Sequence, residues 1–237
     1  MTFGSTFGRT FSPTFQPHSL KKGGGWWDLN GTIASCVAAY QPKGAASYAA
    51  SKTNLANPGT YDATDGAAYP TFNTSTGWSF NGSSQYLKTN YVPSAGANLS
   101  VFARANQLAN GANTINTIVG MCAASSPYNG VLLRLYAKDG SYYNRYVNDG
   151  VSSLITTQTT GDHVIGVAGR EGFLDGTSEA TFSDETQAFP AYDLYIGATH
   201  YSSTIQFFYG SIYAVSIYEG VLTTAQISSL TTAMAAL

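Results

Sequence analysis

The stretch "GWSFNGSSQYLKT", residues 77–89, contains the pattern that decides the fold of this chain. Two short runs that include aromatic residues, 78–80 and 86–89, flank the pair Asn81-Gly82. Aromatic and β-branched residues favour strands, and an Asn-Gly pair readily adopts the backbone angles of a tight turn. The stretch therefore predicts two short strands separated by a turn.

The same alternation of strand-like runs and turns continues over most of the chain. Asp-Gly pairs, which also favour turns, occur at 139–140, 149–150 and 175–176. Further strands are predicted at 99–103, 117–121, 131–136, 141–147, 151–156, 163–169, 194–198 and 211–218. Many short strands punctuated in this way predict an all-β fold, an antiparallel β-sandwich of the jelly-roll kind.

Two other elements are predicted within this all-β domain. Thr223 and Gln226 have the spacing of a capping box, and Ile227, Leu230 and Met234 recur at intervals of three and four, so a short C-terminal helix is expected to lie against the sandwich. Residues 40–73 are rich in Ala, Gly, Ser, Asn and Pro. They predict a long ordered excursion, held to the sandwich by its aromatic residues, with one short helix near 45–52.

The N-terminus repeats one four-residue phrase, TFGS, TFGR, TFSP and TFQP, over residues 2–17. Glycine and proline between the repeats disfavour a helix, and in an extended chain an even spacing places every ring on the same side. We expect residues 1–25 to form an extended arm and residues 26–237 to form a single domain. The arm either lies along its own domain or, as its regularity favours, binds a neighbouring protein through Phe3, Phe7, Phe11 and Phe15.

Charge and hydropathy limit the classes of function. The 237 residues include 11 Lys and Arg and 13 Asp and Glu, so no basic surface is expected to bind nucleic acid. No signal peptide and no bilayer-spanning apolar run is evident, which predicts a soluble chain made in a cytoplasm, without membrane insertion. Cys36 and Cys122 match no metal or redox spacing. Buried thiols are expected, with a bridge between the two as the alternative.

The sequence shows no recognisable catalytic motif. A Glu-x-Asp-x-x-Glu pattern, which could supply the two carboxylates of a glycan hydrolase, is absent, and so is a Gly-x-Ser-x-Gly nucleophile. Asp162 and His163 are adjacent, so on a strand their side chains diverge, and His200 is expected to be exposed in a loop. These observations predict a protein that is not an enzyme and that uses no cofactor.

Aromatic and amide side chains make glycan binding an alternative function. Sugar sites combine aromatic faces with hydroxyl and amide partners, and they need little net charge. The candidate residues lie on a predicted hairpin and in a later loop, and they are Tyr142, Tyr143, Tyr146, Tyr201 and Phe207. The same aromatic residues would otherwise fill the core. On that hairpin Arg134 and Arg145 are equally far from the turn and are expected as a cross-strand pair on a solvated face.

Residues 77–89 resemble the first strand and turn of the laminin-G-like, concanavalin A-like jelly rolls, in which an aromatic residue precedes Phe-Asp-Gly and, after a polar gap, Tyr-Leu or Tyr-Val. "HVIGVAGREGFLDG" at 163–176 is similar to the central hairpin of that family, and "FYGSIYAVSIYEGVLTTAQISSL" at 208–230 to its closing strand and helix. Members that bind calcium have carboxylates in the loop corresponding to residues 81–85. This chain has none there, so no metal is expected.

A narrower resemblance involves residues 36–63 and 222–237, which look like jelly-roll proteins carried by bacteriophages and prophages. It implies a non-enzymatic virion structural protein, either a capsid decoration or cement protein or a tail-associated subunit, attached through its arm. The expected partner is a phage capsid or tail protein, the expected location is the virion, and a homo-oligomer such as a trimer is expected. The alternative is a lectin-like carbohydrate-binding module that contacts a host surface glycan.

Overall fold

The computed structural model describes residues 24–28, 36–94, 98–108, 115–123, 130–138, 141–148, 151–155, 161–181, 189–201 and 206–237. The side chains of residues 107, 115, 135–138, 141–148, 151–155 and 180 are not part of that description. Phe3, Phe7, Phe11 and Phe15 lie outside the described residues, as do the turn pairs at 139–140 and 149–150. The division into an arm and one domain therefore stays a prediction.

Strands dominate the described residues, which form sixteen strands and two helices. In chain order they are β1 (Cys36–Tyr40), α1 (Tyr48–Ser51), β2 (Thr64–Asp65), β3 (Thr71–Asn73), β4 (Gly77–Asn81), β5 (Leu87–Lys88), β6 (Leu99–Gln107), β7 (Ile115–Cys122), β8 (Gly130–Lys138), β9 (Ser141–Asn148), β10 (Val151–Ile155), β11 (Gly161–Ala168), β12 (Glu171–Leu174), β13 (Thr177–Thr181), β14 (Tyr195–Ile196), β15 (Thr199–His200), β16 (Tyr209–Glu219) and α2 (Thr224–Ala235). Every predicted strand overlaps an observed one.

The strands form two sheets. In the first the order is β13-β12-β11-β6-β16-β4-β3, with β1 also paired to β16. In the second it is β10-β9-β8-β7-β14-β5-β2, with β15 also paired to β7. Among the described strands only β15 pairs in parallel. The predicted all-β antiparallel sandwich with a C-terminal helix is confirmed.

The hydrophobic core lies between the two sheets. Alternate residues along the strands point into it, including Val101, Ala103, Val215 and Ile217 from the first sheet and Val119, Met121, Val131 and Leu133 from the second. Each fully buried valine, leucine, isoleucine or methionine side chain among them stabilises the fold by about 1.5–3 kcal/mol. Trp78 is also completely buried, and its indole Nε1 donates a 2.8 Å hydrogen bond to Ser51 Oγ. The aromatic residue of the opening stretch therefore ties α1 to the sandwich.

Gly77 precedes that tryptophan because no other residue fits its position. Its φ is +70°, and a Cβ atom there would lie 2.3 Å from the carbonyl oxygen of Ile212 in the neighbouring strand β16. A side chain would meet both backbone strain and a steric clash. The predicted turn between β12 and β13 depends on backbone angles. Asp175 and Gly176 both have positive φ angles, as a two-residue hairpin turn requires.

The C-terminal helix begins as the sequence predicts. Thr223 Oγ1 accepts from the amide of Gln226, and the Gln226 side chain accepts from the amide of Thr223, which completes the capping box. The buried face of α2 packs against the outer side of the first sheet through Ile227, Leu230 and Met234. Neither helix of the described part is long and apolar enough to span a membrane.

Both cysteines are free thiols, so the alternative of a bridge between them is wrong. Cys36 is half-buried beside the cluster under α2, and Cys122 is buried with Leu132 in a separate cluster of the second sheet. The two clusters lie on different sheets, which keeps the thiols apart. Burial raises the pKa of the Cys36 thiol to about 12.

Candidate functional site

A row of stacked rings lies along one end of the second sheet, with Tyr86 and Tyr195 outside the inter-sheet core. Tyr195 of β14 stacks on Tyr86 with ring centroids 4.7 Å apart, and on His200 with centroids 4.2 Å apart. Tyr192 stacks on His200 at 4.6 Å. These four residues, named here the aromatic row, form a continuous ladder of rings along the β5, β14 and β15 end of the sheet. Offset stacking of this kind stabilises each pair beyond simple burial.

The expectation that His200 is exposed is wrong. Its side chain is only 23% exposed, and Nδ1 lies 2.9 Å from Asp193 Oδ1 and 3.1 Å from the Asp193 carbonyl oxygen. Gly197, with a φ of +79°, lets the chain reverse between β14 and β15, so that His200 returns to the ring of Tyr195. His200 is covered because the chain folds back after β14, and this long-range feature is not visible in the local sequence.

Two of the five predicted glycan-binding residues join this surface. Phe207 is half-buried against Tyr86, with ring centroids 6.3 Å apart. Tyr201 is half-buried against Cys122 and Leu132. The structure thus brings Phe207 and Tyr201 to the same outer side of the second sheet, one packed on the aromatic row and the other beside it.

The other three predicted residues, Tyr142, Tyr143 and Tyr146, belong to β9. In the register with β8, Tyr143 lies opposite Tyr136, whereas Tyr142 and Tyr146 lie opposite Ala137 and Leu133. Their part in sugar binding stays a prediction.

Arg134 is a buried charged residue beside the aromatic row. It is register partner to Arg145, as predicted, but only 3% exposed, so the expected solvated face is wrong at this position. Its Nε donates to Thr117 Oγ1 at 3.1 Å, and its Nη2 donates to the Tyr201 hydroxyl at 2.6 Å. A buried guanidinium needs such partners because losing water is costly for a charge. Arg134 thereby fixes the position of the Tyr201 ring.

Sequence reasoning missed Tyr86, Tyr192 and Tyr195, although one signal was available. In the opening stretch Tyr86 and Lys88 alternate with Leu87, which is buried in the inter-sheet core. Strand alternation therefore places Tyr86 on the outer face. Burial, and to a smaller extent the Asp193 carboxylate, raises the pKa of Tyr195 to about 12, so its hydroxyl is a neutral donor at neutral pH.

The described residues contain no cluster of three or more His, Cys, Asp or Glu side chains that could hold a metal ion. The predicted divergence of Asp162 and His163 is observed. Asp162 accepts hydrogen bonds from Asn106 and Tyr213, whereas His163 contacts the carboxylate of Asp175 at 2.7 Å. These two neighbours therefore do not form an acid and base pair.

No family model and no curated protein sequence matches the chain. The matches are all to solved structures. A Trypanosoma rangeli sialidase in complex with sialic acid matches with a TM-score of 0.60 and 15% identity over 84% of this chain. A mutant of that sialidase with trans-sialidase activity matches with a TM-score of 0.55 and 14% identity over 85%. At sequence identities this low, the structural likeness shows a shared fold alone.

The chain spans about a third of these sialidase chains, 33% in both cases. A heptameric SAP-like pentraxin from Limulus polyphemus matches with a TM-score of 0.45 and 17% identity, over 65% of this chain and 80% of the pentraxin. The two sialidase matches support a sandwich that also occurs within much longer chains.

These comparisons correct one prediction. The sequence predicts a protein that is not an enzyme, and the finding contradicts it, because the structures that share the fold are those of sialidases and of a variant with trans-sialidase activity. The prediction rests on missing linear motifs. Catalytic residues converge in three dimensions from distant parts of a chain, so the absence of a motif does not exclude catalysis.

Proposed function

We propose that this chain is a lectin-like carbohydrate-binding module that contacts sugars through the outer side of its second sheet. The observation that carries the proposal is the convergence of Tyr201 and Phe207 beside the aromatic row, where half-buried rings adjoin fixed polar groups. Support comes from the matched sialidase structure that holds sialic acid, which is a sugar. The virion role, the capsid or tail partner and the oligomer stay predictions from the sequence.

The chemistry of this surface suits a sugar. Aromatic faces pack against the apolar C–H groups of a pyranose ring, and hydroxyl or amide groups bind its hydroxyls. Phe207 supplies an aromatic ring, and the Tyr201 hydroxyl and the Gln206 amide lie 3.5 Å apart as polar partners. The ring contact with Tyr86 and the hydrogen bond from Arg134 hold Phe207 and Tyr201 in place before any ligand arrives. Little side-chain entropy is therefore lost on binding.

A glycan array tests this proposal with the wild type and the variants Phe207→Ala and Tyr201→Ala. Tyr209→Ala is the matched control, because Tyr209 is an exposed tyrosine at the start of β16 in the first sheet. We expect wild type and control to bind a common set of glycans, and both test variants to bind at least about tenfold more weakly. Circular dichroism confirms that each variant is folded.

Two outcomes would overturn the proposal. One is a wild-type protein that binds no glycan on the array. The other is binding that persists unchanged in folded Phe207→Ala and Tyr201→Ala. Adding Tyr143→Ala and Tyr146→Ala to the series decides whether β9 contributes, since both residues belong to that strand.

A further inference from the structure

The excursion between β1 and β4 presents an exposed aromatic ring that the surface described above does not use. Tyr69 is 64% exposed, the highest value for a large hydrophobic side chain among the described residues. Its ring centroid lies 5.9 Å from that of Tyr48, which in turn lies 6.1 Å from that of Phe72. The neighbouring rings support Tyr69 from within the excursion, while most of its own surface faces water.

A fixed carboxylate accompanies this ring. The Tyr48 hydroxyl donates to Asp65 Oδ1, and Lys52 Nζ lies 3.0 Å from both carboxylate oxygens of Asp65. Lys52 Nζ also lies 4.4 Å from the centroid of the Tyr48 ring. The Asp65 side chain is nevertheless 38% exposed. A carboxylate has about four lone-pair sites, so the Asp65 carboxylate can accept a further hydrogen bond on its solvent side.

The surface is rigid because buried polar bonds hold the excursion in place. Asn54 is completely buried; its Oδ1 accepts from the amide of Ala39 at 3.0 Å, and its Nδ2 donates to the carbonyl of Thr60 at 2.8 Å. The amide of Ala63 donates to the carbonyl of Lys52 at 2.8 Å. Ligand binding to such a surface carries a small ordering cost.

We propose that Tyr69, Asp65 and Lys52 form a second binding site, and that its ligand is a neutral hexopyranose unit. The ring supplies a face for the C–H side of a pyranose, and the carboxylate accepts a hydrogen bond from one of the sugar hydroxyls. The opposite charges of Lys52 and Asp65 cancel. The site therefore has no net charge that would favour an anionic sugar, whereas a neutral sugar forms both contacts.

This site is separate from the sugar surface around Tyr201 and Phe207, because the two share no residue. The two surfaces adjoin at Gly66, where a Cβ atom would lie 2.5 Å from the ring of Tyr86. The amide of Gly66 also donates to the carbonyl of Tyr86 at 2.9 Å. A separate set of substitutions can therefore test each surface.

The test titrates the full chain with lactose, cellobiose, mannotriose and 3′-sialyllactose, and follows ligand signals by saturation-transfer NMR. The variants are Tyr69→Ala, Tyr69→Phe and Asp65→Asn, with Tyr209→Ala as the exposed-tyrosine control and Phe207→Ala as the probe of the other site. We expect a neutral sugar to bind the wild type. Tyr69→Ala and Asp65→Asn should each weaken it at least about tenfold, and Tyr69→Phe should retain it because the ring remains.

Each outcome decides between the two sites. Weakening in Tyr69→Ala and Asp65→Asn, with Phe207→Ala unchanged, supports this site. Weakening in Phe207→Ala alone overturns it and leaves the proposed function standing. Binding of sialyllactose without any neutral sugar also overturns it. Binding of no sugar contradicts both sites. Because Tyr69 is exposed, an unchanged melting temperature for Tyr69→Ala excludes unfolding as the cause of any loss.

Discussion

Arg134 and Tyr201 form one unit, in which the guanidinium lies 5.9 Å from the centre of the tyrosine ring and donates a 2.6 Å hydrogen bond to its hydroxyl. The positive charge is thus bonded at the hydroxyl and near the electron-rich ring, a combination that offsets the loss of water from a buried side chain. Arg134 pairs in register with Arg145, and two like charges in that arrangement are unfavourable in the absence of such partners. Tyr201 therefore supports the fold as well as the proposed sugar surface.

Replacing Tyr201 with phenylalanine tests that double role. The variant keeps the ring but removes the acceptor of the Arg134 bond, and hydrogen bonds to charged groups contribute about 1.5–3 kcal/mol. We expect the free energy of unfolding to fall by about that amount in urea titrations. Tyr209→Phe is the control, since that tyrosine is exposed, and it should change little. Equal stability of Tyr201→Phe and wild type would show that the buried arginine does not depend on this hydroxyl.

Gly77 and Gly59 provide a matched pair for the steric argument at the opening stretch. Both have positive φ angles, +70° and +87°, but a Cβ atom at Gly77 would meet the carbonyl oxygen of Ile212, whereas none of the described atoms lies within 4 Å at Gly59. Alanine imposes similar backbone strain at both positions, so the difference isolates the clash. We expect Gly77→Ala to destabilise the protein by at least about 2 kcal/mol more than Gly59→Ala. Similar thermal midpoints for the two variants would contradict the observed contact.

Asn54 is expected to be the most sensitive polar residue of the excursion. Its amide group binds four backbone groups, those of Val37, Ala39, Ala56 and Thr60, at 2.8 to 3.0 Å. Asn54→Ala leaves several of these groups buried without a partner, each at about 1–3 kcal/mol.

We expect Asn54→Ala to lower the free energy of unfolding by at least about 3 kcal/mol and to expose the excursion to limited proteolysis. Asn57→Ala, at an exposed position of the same segment, is the control and should behave as wild type. Proteolysis at wild-type rates in the Asn54 variant would show that the excursion does not depend on this amide.

Stability should fall at alkaline pH. Burial raises the pKa of Cys36 from 9.0 to about 12 and the pKa of Tyr195 from 10.0 to about 12. The folded state therefore holds these protons more tightly than the unfolded chain. Their contribution is complete below about pH 9 and is lost as the pH rises towards 12.

Urea titrations at pH 8, 9, 10 and 11 measure this effect. Wild type should lose stability from about pH 9 upward, and Cys36→Ser should lose it only from about pH 10, where tyrosines begin to ionise in the unfolded chain. The stability difference between the two proteins should therefore shrink or invert with rising pH. A difference that stays constant from pH 8 to 11 would show that the Cys36 thiol is not shielded as the structure indicates.

The sequence by itself determined the local structure of this protein. Asn81-Gly82 and Asp175-Gly176 predict turns, and Thr223 with Gln226 predicts the start of the helix, because backbone angles and caps depend on residues close in the chain. The alternation of Leu87 with its neighbours likewise indicates a strand with one buried side. These features were enough to identify an all-β sandwich, since many short strands with turn residues have few other ways to bury their apolar faces.

Only the tertiary structure decided which residues meet. Tyr86 stacks on Tyr195, Arg134 reaches Tyr201, and His200 returns to Asp193 after a reversal at Gly197. Most of these contacts join segments that are distant in the chain, and strand pairing across the sheet sets them. A sequence pattern reports which face of a strand is apolar, but the partner of each face depends on the order of strands, which long-range packing determines.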